Sequence, residues 1–183
     1  MRAVDQVEPI SAWHDLLFGV RRSIRYHSRR RMFFERFDLL TSAMSVIFGS
    51  ATVFAVITVY KSLAVVVAAI VSVFSAVDLV VGAGKAARLH EDLAKRFISL
   101  ERSLILHKDE VSDQDVKRFS AERLEIEVDE PPIFRVLDSL CHNELLEAMG
   151  YSRKQFLKIA WYQRLFAQLI DICPDSISSP AQE

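Results

Sequence analysis

Charge is almost absent from the middle of the chain and regular apolar stripes run along both flanks. Between positions 39 and 84 only Lys61 and Asp78 are charged. Residues 39–60 form an uncharged run of 22, and a helix needs only about 20 residues to cross a hydrocarbon core about 30 Å thick. Residues 63–84 match it, with only Lys61 and Ser62 between, which leaves room for nothing but a tight antiparallel turn. The pattern predicts a hairpin of two transmembrane helices. Both runs are rich in Val and Ile, which would suggest strands in water. In lipid every backbone amide must be satisfied within its own segment, so helix wins over propensity. A soluble bundle with two long buried helices is the competing reading, but helices of that length should carry a polar face, and neither run has a charged one.

The flanks read as amphipathic helices. Ser11 follows Pro9 as an N-cap, and Trp13, Leu16, Leu17, Val20 and Ile24 recur at helical spacing. That helix is expected to lie on or rise from the inner leaflet, with Tyr26, Phe33, Phe34 and Phe37 as headgroup-level anchors. After the hairpin, Leu89, Leu93, Phe97, Leu100 and Leu104 trace one stripe on a helix that should continue directly out of the second span. Residues 111–128 predict a helix capped by Ser112, with Val116, Phe119, Leu124 and Ile126 inward. Pro131 and Pro132 separate it from a third over 133–149, with Ile133, Val136, Leu137, Leu140 and Leu145 inward and Gly150 as its stop. A last helix is expected over 152–172, capped by Ser152, with Phe156, Ile159, Leu165 and Leu169 inward; these stripes, beginning at Pro132 and Ser152, are expected to cover Leu89 to Leu100. The expected organisation is all-α. It comprises a basic juxtamembrane helix (1–36), a two-transmembrane hairpin (37–84), a cytoplasmic helical region (85–174) and a flexible tail (175–183).

Charge orients the hairpin. Arg21, Arg22, Arg25, Arg29, Arg30, Arg31 and Arg36 precede the first span, Lys85, Arg88, Lys95 and Arg96 follow the second, and the turn offers only Lys61. The positive-inside rule places both termini in the cytoplasm. The formal net charge of −1 points to no acidic or basic partner such as nucleic acid. Cys141 and Cys173 lack CxxC spacing and a nearby histidine, which suits reduced thiols and gives no disulfide, metal or cofactor site. Asp5 and Glu8 at the start, with no apolar run behind them, do not read as a cleavable signal peptide.

Taken in order, RRSIRYHSRRRMFFE before the first span, the hairpin itself, HEDLAKRFISLERSL after it, DEPPIFRVLDSLCHNEL, EAMGY and WYQRLF give the chain a pattern that resembles the SLATT family. These are two-transmembrane effectors of bacterial nucleotide-signalling and antiphage defence loci. The resemblance implies a cytoplasmic helical region that relays a signal to a membrane hairpin, which oligomerises and permeabilises the inner membrane. The implied sensor is a separate nucleotide-signalling partner or the helical region itself, because these residues hold no fused sensing domain.

Candidate functional residues fall in two groups. Thr41, Ser45 and Thr52 share one face of the first span with Asp38, Gly49 and Val56; Lys61, Ser72, Ser75 and Asp78 share one face of the second with Ala64, Ala68 and Gly82. Either stripe would line a polar path through a homo-oligomer or let helix backbones approach closely in lipid. Asp78 stands out because a carboxylate in a span is costly, unless it pairs with Lys85 or Arg88. The arginines Arg21, Arg22, Arg25, Arg29, Arg30 and Arg31 suit anionic lipid headgroups, or alternatively a nucleotide phosphate, although no Gly-rich loop accompanies them. Cys141, His142, Asn143 and Glu144 are consecutive on a helix and point four ways, so no catalytic cluster is expected. His14, His27, His90 and His107 are isolated. No Walker, nucleophile-elbow or metal-helix motif occurs. The expected function is non-enzymatic: a pore-forming effector of the inner membrane, or a non-conducting membrane scaffold.

Overall fold

The computed structural model describes residues 4–50, 59, 61–107 and 111–178, with the side chains of 4–9 and of Lys61 left outside that description. Every regular element among them is helical: α1 (Val4–Gly49), α2 (Lys61–Val81), α3 (Ala83–Leu106), α4 (Asp113–Glu127), α5 (Arg135–Ala148) and α6 (Trp161–Phe166), with short 3₁₀ turns at Arg153–Gln155 and Pro174–Ser176. Extended pairing is limited to one antiparallel bridge, Lys158 to Ser178. Residues divide into two compact units, Arg30–His90 and the pair of segments Met1–Arg29 with Glu91–Glu183.

From Leu93 onward the stripe on α3 is buried, in the second of these units, whereas Leu89, expected as its first member, is 42% exposed. Leu93, Phe97 and Leu104 are 0% exposed, and Leu100 is equally enclosed. What covers it is different from the sequence expectation. Trp13, Leu16 and Val20 of α1 and Phe119 and Ile126 of α4 close over it, while the α5 face forms a separate cluster. The apolar face of the first amphipathic helix is therefore spent on protein and not on a lipid surface. Trp13 meets Phe119 edge-on at 5.4 Å, a favoured aromatic geometry. Gly19 lies under the Arg123 side chain of α4, whose guanidinium a Cβ there would meet at 2.5 Å and displace. Nor does α1 start at Ser11; it is already helical at Val4.

α4 begins at Ser112 with a capping box: Ser112 Oγ accepts from the Asp115 amide, and the Asp115 carboxylate accepts from the Ser112 amide. The Ser112 hydroxyl, and after it the Ser112 amide, donate to the Asp115 carboxylate and hold it below its ordinary range. Leu124 of α4 is 60% exposed, contrary to its expected inward position, and Ile126 takes the core site instead. α5 starts at Arg135, so Ile133 stays outside it and half exposed. Its end follows expectation, with Gly150 at φ +80° and the Gly150 and Tyr151 amides returning to Glu147 and Leu146 as a Schellman cap.

Tyr26, Val136, Leu137, Cys141, Ile159 and Ala167 form the second core. Tyr26 is buried there and its hydroxyl accepts from the Phe134 amide at 3.0 Å, so it is no headgroup anchor. Beside it His27, 1% exposed, stacks on Phe97 and places Nε2 2.9 Å from Glu130 Oε1.

The last predicted helix, 152–172, is not formed. Asn143 of α5 binds both backbone groups of Leu157, donating to its carbonyl at 2.9 Å and accepting from its amide at 2.8 Å. This two-point grip holds 156–158 extended, and only Trp161–Phe166 is helical beyond it. Leu165 and Leu169, expected inward, are 67% and 57% exposed.

In the Arg30–His90 unit, Phe34 packs on Ala83 and Ala87 with Phe33, Phe37 and Ala86 around them. Arg30 lies over the Phe34 ring at 4.5 Å and His90 stacks on it at 5.7 Å. α2 does not run directly into α3. Gly82, at φ +62°, interrupts the helix, and its carbonyl then accepts from the Lys85 and Ala86 amides to restart it.

Candidate functional site

The Arg30–His90 unit contains the one described helix that is long and apolar enough to cross a membrane, Ser62–Val81, and none of it is buried. Leu63, Val66, Ile70, Val73, Val77 and Val80 are all more than two-fifths exposed along one face, and Val65 and Leu79 are exposed further round the axis, while Ala64, Val67, Val71 and Phe74 are half-buried. Exposed apolar surface of this extent marks contact with lipid or with another protein. The second half of the other expected span, with Thr52, lies outside the described residues. Its first half, the end of α1, likewise exposes Leu39, Leu40, Val46 and Ile47. Phe37 of α1 stacks on Phe74 of α2 at 6.2 Å, so the two helices pack within this unit.

The polar residues of the stripes differ in how they are satisfied. Thr41 is buried and its hydroxyl donates to the Asp38 carbonyl at 3.0 Å; Ser45 donates to the Thr41 carbonyl at 2.9 Å. Hydroxyls bonded back to their own helix need nothing from a partner. Ser72 and Ser75 are exposed. Asp78 is half-buried, and its Oδ1 is covered yet has no hydrogen-bond partner among the described residues. The expected alternative, an ion pair from Asp78 to Lys85 or Arg88, is not formed. Asp38 and Arg88 both lie beside Gly84: a Cβ there would be 3.3 Å from Asp38 Oδ1 and 3.9 Å from Arg88 Nη2. Asp38 was visible as part of the first stripe, but nothing in the spacing tied it to Gly84. Lys61 begins α2, and its side chain lies outside the described residues.

The arginine cluster is dispersed among internal acids. Arg21 Nε donates to Glu101 at 2.6 Å, Arg29 pairs with Glu144, and Arg31 with Glu35 one turn on at 2.7 Å. Arg22 Nε is 3.1 Å from Asp138 Oδ1, close enough for an ion pair but misaligned for a hydrogen bond. Arg25 donates to the Arg21 carbonyl, and both line a cleft of about 350 Å³ that Glu101 shares. That carboxylate occupies the charge which a bound phosphate would need.

The Cys141–Glu144 run has structural work in each direction. Burial pushes the Cys141 thiol up to about 12, Asn143 grips Leu157, and Glu144 holds Arg29. His142 meets Phe18 edge-on at 5.2 Å; burial lowers its pKa and Arg22 lowers it further. Asp138 is raised by burial, against the pull of Arg22. Among the described residues no three His, Cys, Asp or Glu side chains gather as a metal site would require.

The spacing of residues did not reveal one further groove. Arg153, Lys158 and Arg164 line an open cleft of about 940 Å³ together with Glu144, Glu147, Phe156 and Tyr162. The available signal was compositional: residues 152–170 contain no Asp or Glu.

The chain is thus an all-α protein with one candidate membrane span among its described residues. Comparison with protein-family profiles, with curated proteins and with solved structures finds no match in any of the three.

Proposed function

We propose that the chain is a SLATT-type membrane effector. Residues 39–60 and 63–84 form a transmembrane hairpin with both flanks in the cytoplasm of a bacterial cell. The hairpin oligomerises and permeabilises or depolarises the inner membrane in an antiphage or conflict system. A separate nucleotide-signalling or sensor protein acts through the cytoplasmic helices. The observation that carries this reading is Asp78: a covered carboxylate oxygen without a hydrogen-bond partner among the described residues, on a helix whose other faces expose apolar residues. A carboxylate in that position is stabilised if copies assemble around water, where a ring of such groups concentrates cations. Arg25, Arg30 and Arg36, close to the start of the first span, supply contacts to anionic lipid.

A second reading, a non-conducting scaffold that recruits or blocks another membrane complex, is favoured by Thr41 and Ser45, whose hydroxyls are satisfied within their own helix. A potential-sensitive dye in cells after induction, with and without the genomic neighbours, separates the two. Rapid depolarisation that Asp78→Asn diminishes at equal membrane abundance supports the pore. An unchanged potential under every combination supports the scaffold.

A further inference from the structure

α6 is held so that its apolar face points away from its own unit. Gln163 is 2% exposed; its Nε2 donates to the Ile172 and Cys173 carbonyls and to Ser176 Oγ, and its Oε1 accepts from the Ala160 amide. Positions two apart on a helix lie about 200° around the axis from each other. Burying Gln163 therefore turns Trp161 and Leu165, two residues before and two after it, outward together. They are 76% and 67% exposed, and Leu169 and Ile170 follow at 57% and 53%. A folded unit that spends a buried, fully bonded glutamine on displaying tryptophan and leucine presents a contact surface.

Charge identifies what the surface contacts. Residues 152–170 carry Arg153, Lys154, Lys158 and Arg164 and no acid. Of the acids nearby, Glu147 pairs with Arg153 of this segment, and the others are engaged elsewhere: Glu144 with Arg29, Asp171 with the Arg135 and Val136 amides at the start of α5, and Asp175 with the Arg135 side chain. A second copy docking face to face would set this cationic rim against itself, which is unfavourable. An anionic leaflet is complementary, at about 1 kcal/mol per basic residue near its surface, and tryptophan is the side chain enriched at the lipid–water boundary.

We propose that this face docks on anionic phospholipid, with Trp161 and Leu165 at the headgroup–acyl boundary and Lys154, Lys158 and Arg164 on headgroup phosphates. The proposal rests on the membrane reading above but not on conduction. Its test uses the full chain in liposomes of brominated phosphatidylglycerol or brominated phosphatidylcholine. Trp13 is buried, so the difference between the chain and Trp161→Phe reports Trp161. The expected result is blue-shifted Trp161 emission quenched by the brominated anionic lipid, and several-fold less quenched in phosphatidylcholine or in Lys154→Glu/Lys158→Glu. Emission that stays red and open to iodide in anionic vesicles overturns the proposal. So does emission that is protected but indifferent to bromine, which marks a protein partner or a second copy. Carbonate extraction of the same vesicles afterwards tests insertion separately. A chain lost to the supernatant removes the transmembrane reading, while the Trp161 signal recorded beforehand still decides the docking face.

Discussion

Phe97 and Val80 are both large apolar residues on helices, yet one is 0% and the other 86% exposed. The contrast runs through the two units. Around Phe97, each helix carries an apolar stripe backed by charge, and the stripes of α1, α3 and α4 close on one another. Around Val80, apolar residues are exposed over most of α2, and only the face with Val67, Val71 and Phe74 is half-buried. The first arrangement is what water selects: apolar area is removed at about 25 cal/mol per Å² and ions stay outside. The second would be unstable in water and is at equilibrium in hydrocarbon, where helix–helix contact depends on small side chains and local hydrogen bonds rather than on solvent exclusion. On the proposed membrane reading, the two parts of the chain are solutions to two different solvents.

Substitutions that exchange the two solvents break the comparison most sharply. Phe97→Asp places a charge in the enclosed core and should cost about 4 kcal/mol or more, from lost aromatic burial plus carboxylate desolvation. Rapid proteolysis of the residues 91–178 region in detergent, with the hairpin still membrane-bound, is the expected outcome; unchanged resistance would show that the α3 stripe is not covered as described. Val73→Lys makes the opposite exchange. At an exposed position in water it would shift stability by no more than about 0.5 kcal/mol, whereas near the middle of a membrane span it costs about 3 kcal/mol of insertion. Membrane-fraction abundance distinguishes these outcomes, and full retention would argue against lipid around α2.

Asn143→Ala sharpens the account of the enclosed unit. It removes both bonds to Leu157 and leaves two buried backbone groups unmet, for an expected loss of about 2 kcal/mol in denaturant titration. The smallest effect is a pH dependence. Burial holds His142 below its ordinary 6.5, so the unfolded chain takes up a proton at that site before the folded chain does. Stability should be complete above pH 6.5 and decline as the pH falls through the folded value. His142→Gln should flatten that part of the profile relative to the parent chain, a difference measured by thermal unfolding from pH 8 to pH 5.

Local signals in the sequence carried well where one residue type performs one task. Ser112 with Asp115, Gly150 at the end of α5, the α3 stripe and the apolar run of α2 were all legible because caps, left-handed stops and burial periodicity act within a few residues. The failures are long-range. Nothing local to 152–172 records that Asn143 will seize Leu157 and stop a helix from forming there. The face of α3 was legible, but its covering by Trp13, Leu16 and Val20 depended on a partner about 80 residues away, and the face of α1 that carries them read as lipid-facing. The arginines presented as one cluster because their partners Glu101, Asp138 and Glu144 are distant in sequence. In the candidate site, the position of Asp78 was readable. That it would lie without an ion pair, while Asp38 took the place beside Gly84 and Arg88, depended on the break at Gly82.

The topology of the hairpin is tested most directly by cysteine accessibility. Cys141 is a poor probe because it is buried and its thiol is pushed up to about 12, but Cys173 is exposed and Ser62 at the start of α2 is exposed as well. Intact cells expressing the parent chain, or Ser62→Cys combined with Cys173→Ser, would be treated with a membrane-impermeant maleimide before and after permeabilisation; in a Gram-negative host the outer membrane is opened first in both arms. A hairpin with both flanks in the cytoplasm predicts that the cysteine at position 62 is labelled in intact cells and Cys173 only after the inner membrane is opened. Labelling of Cys173 in intact cells, or a cysteine at position 62 that becomes reactive only on permeabilisation, would contradict it.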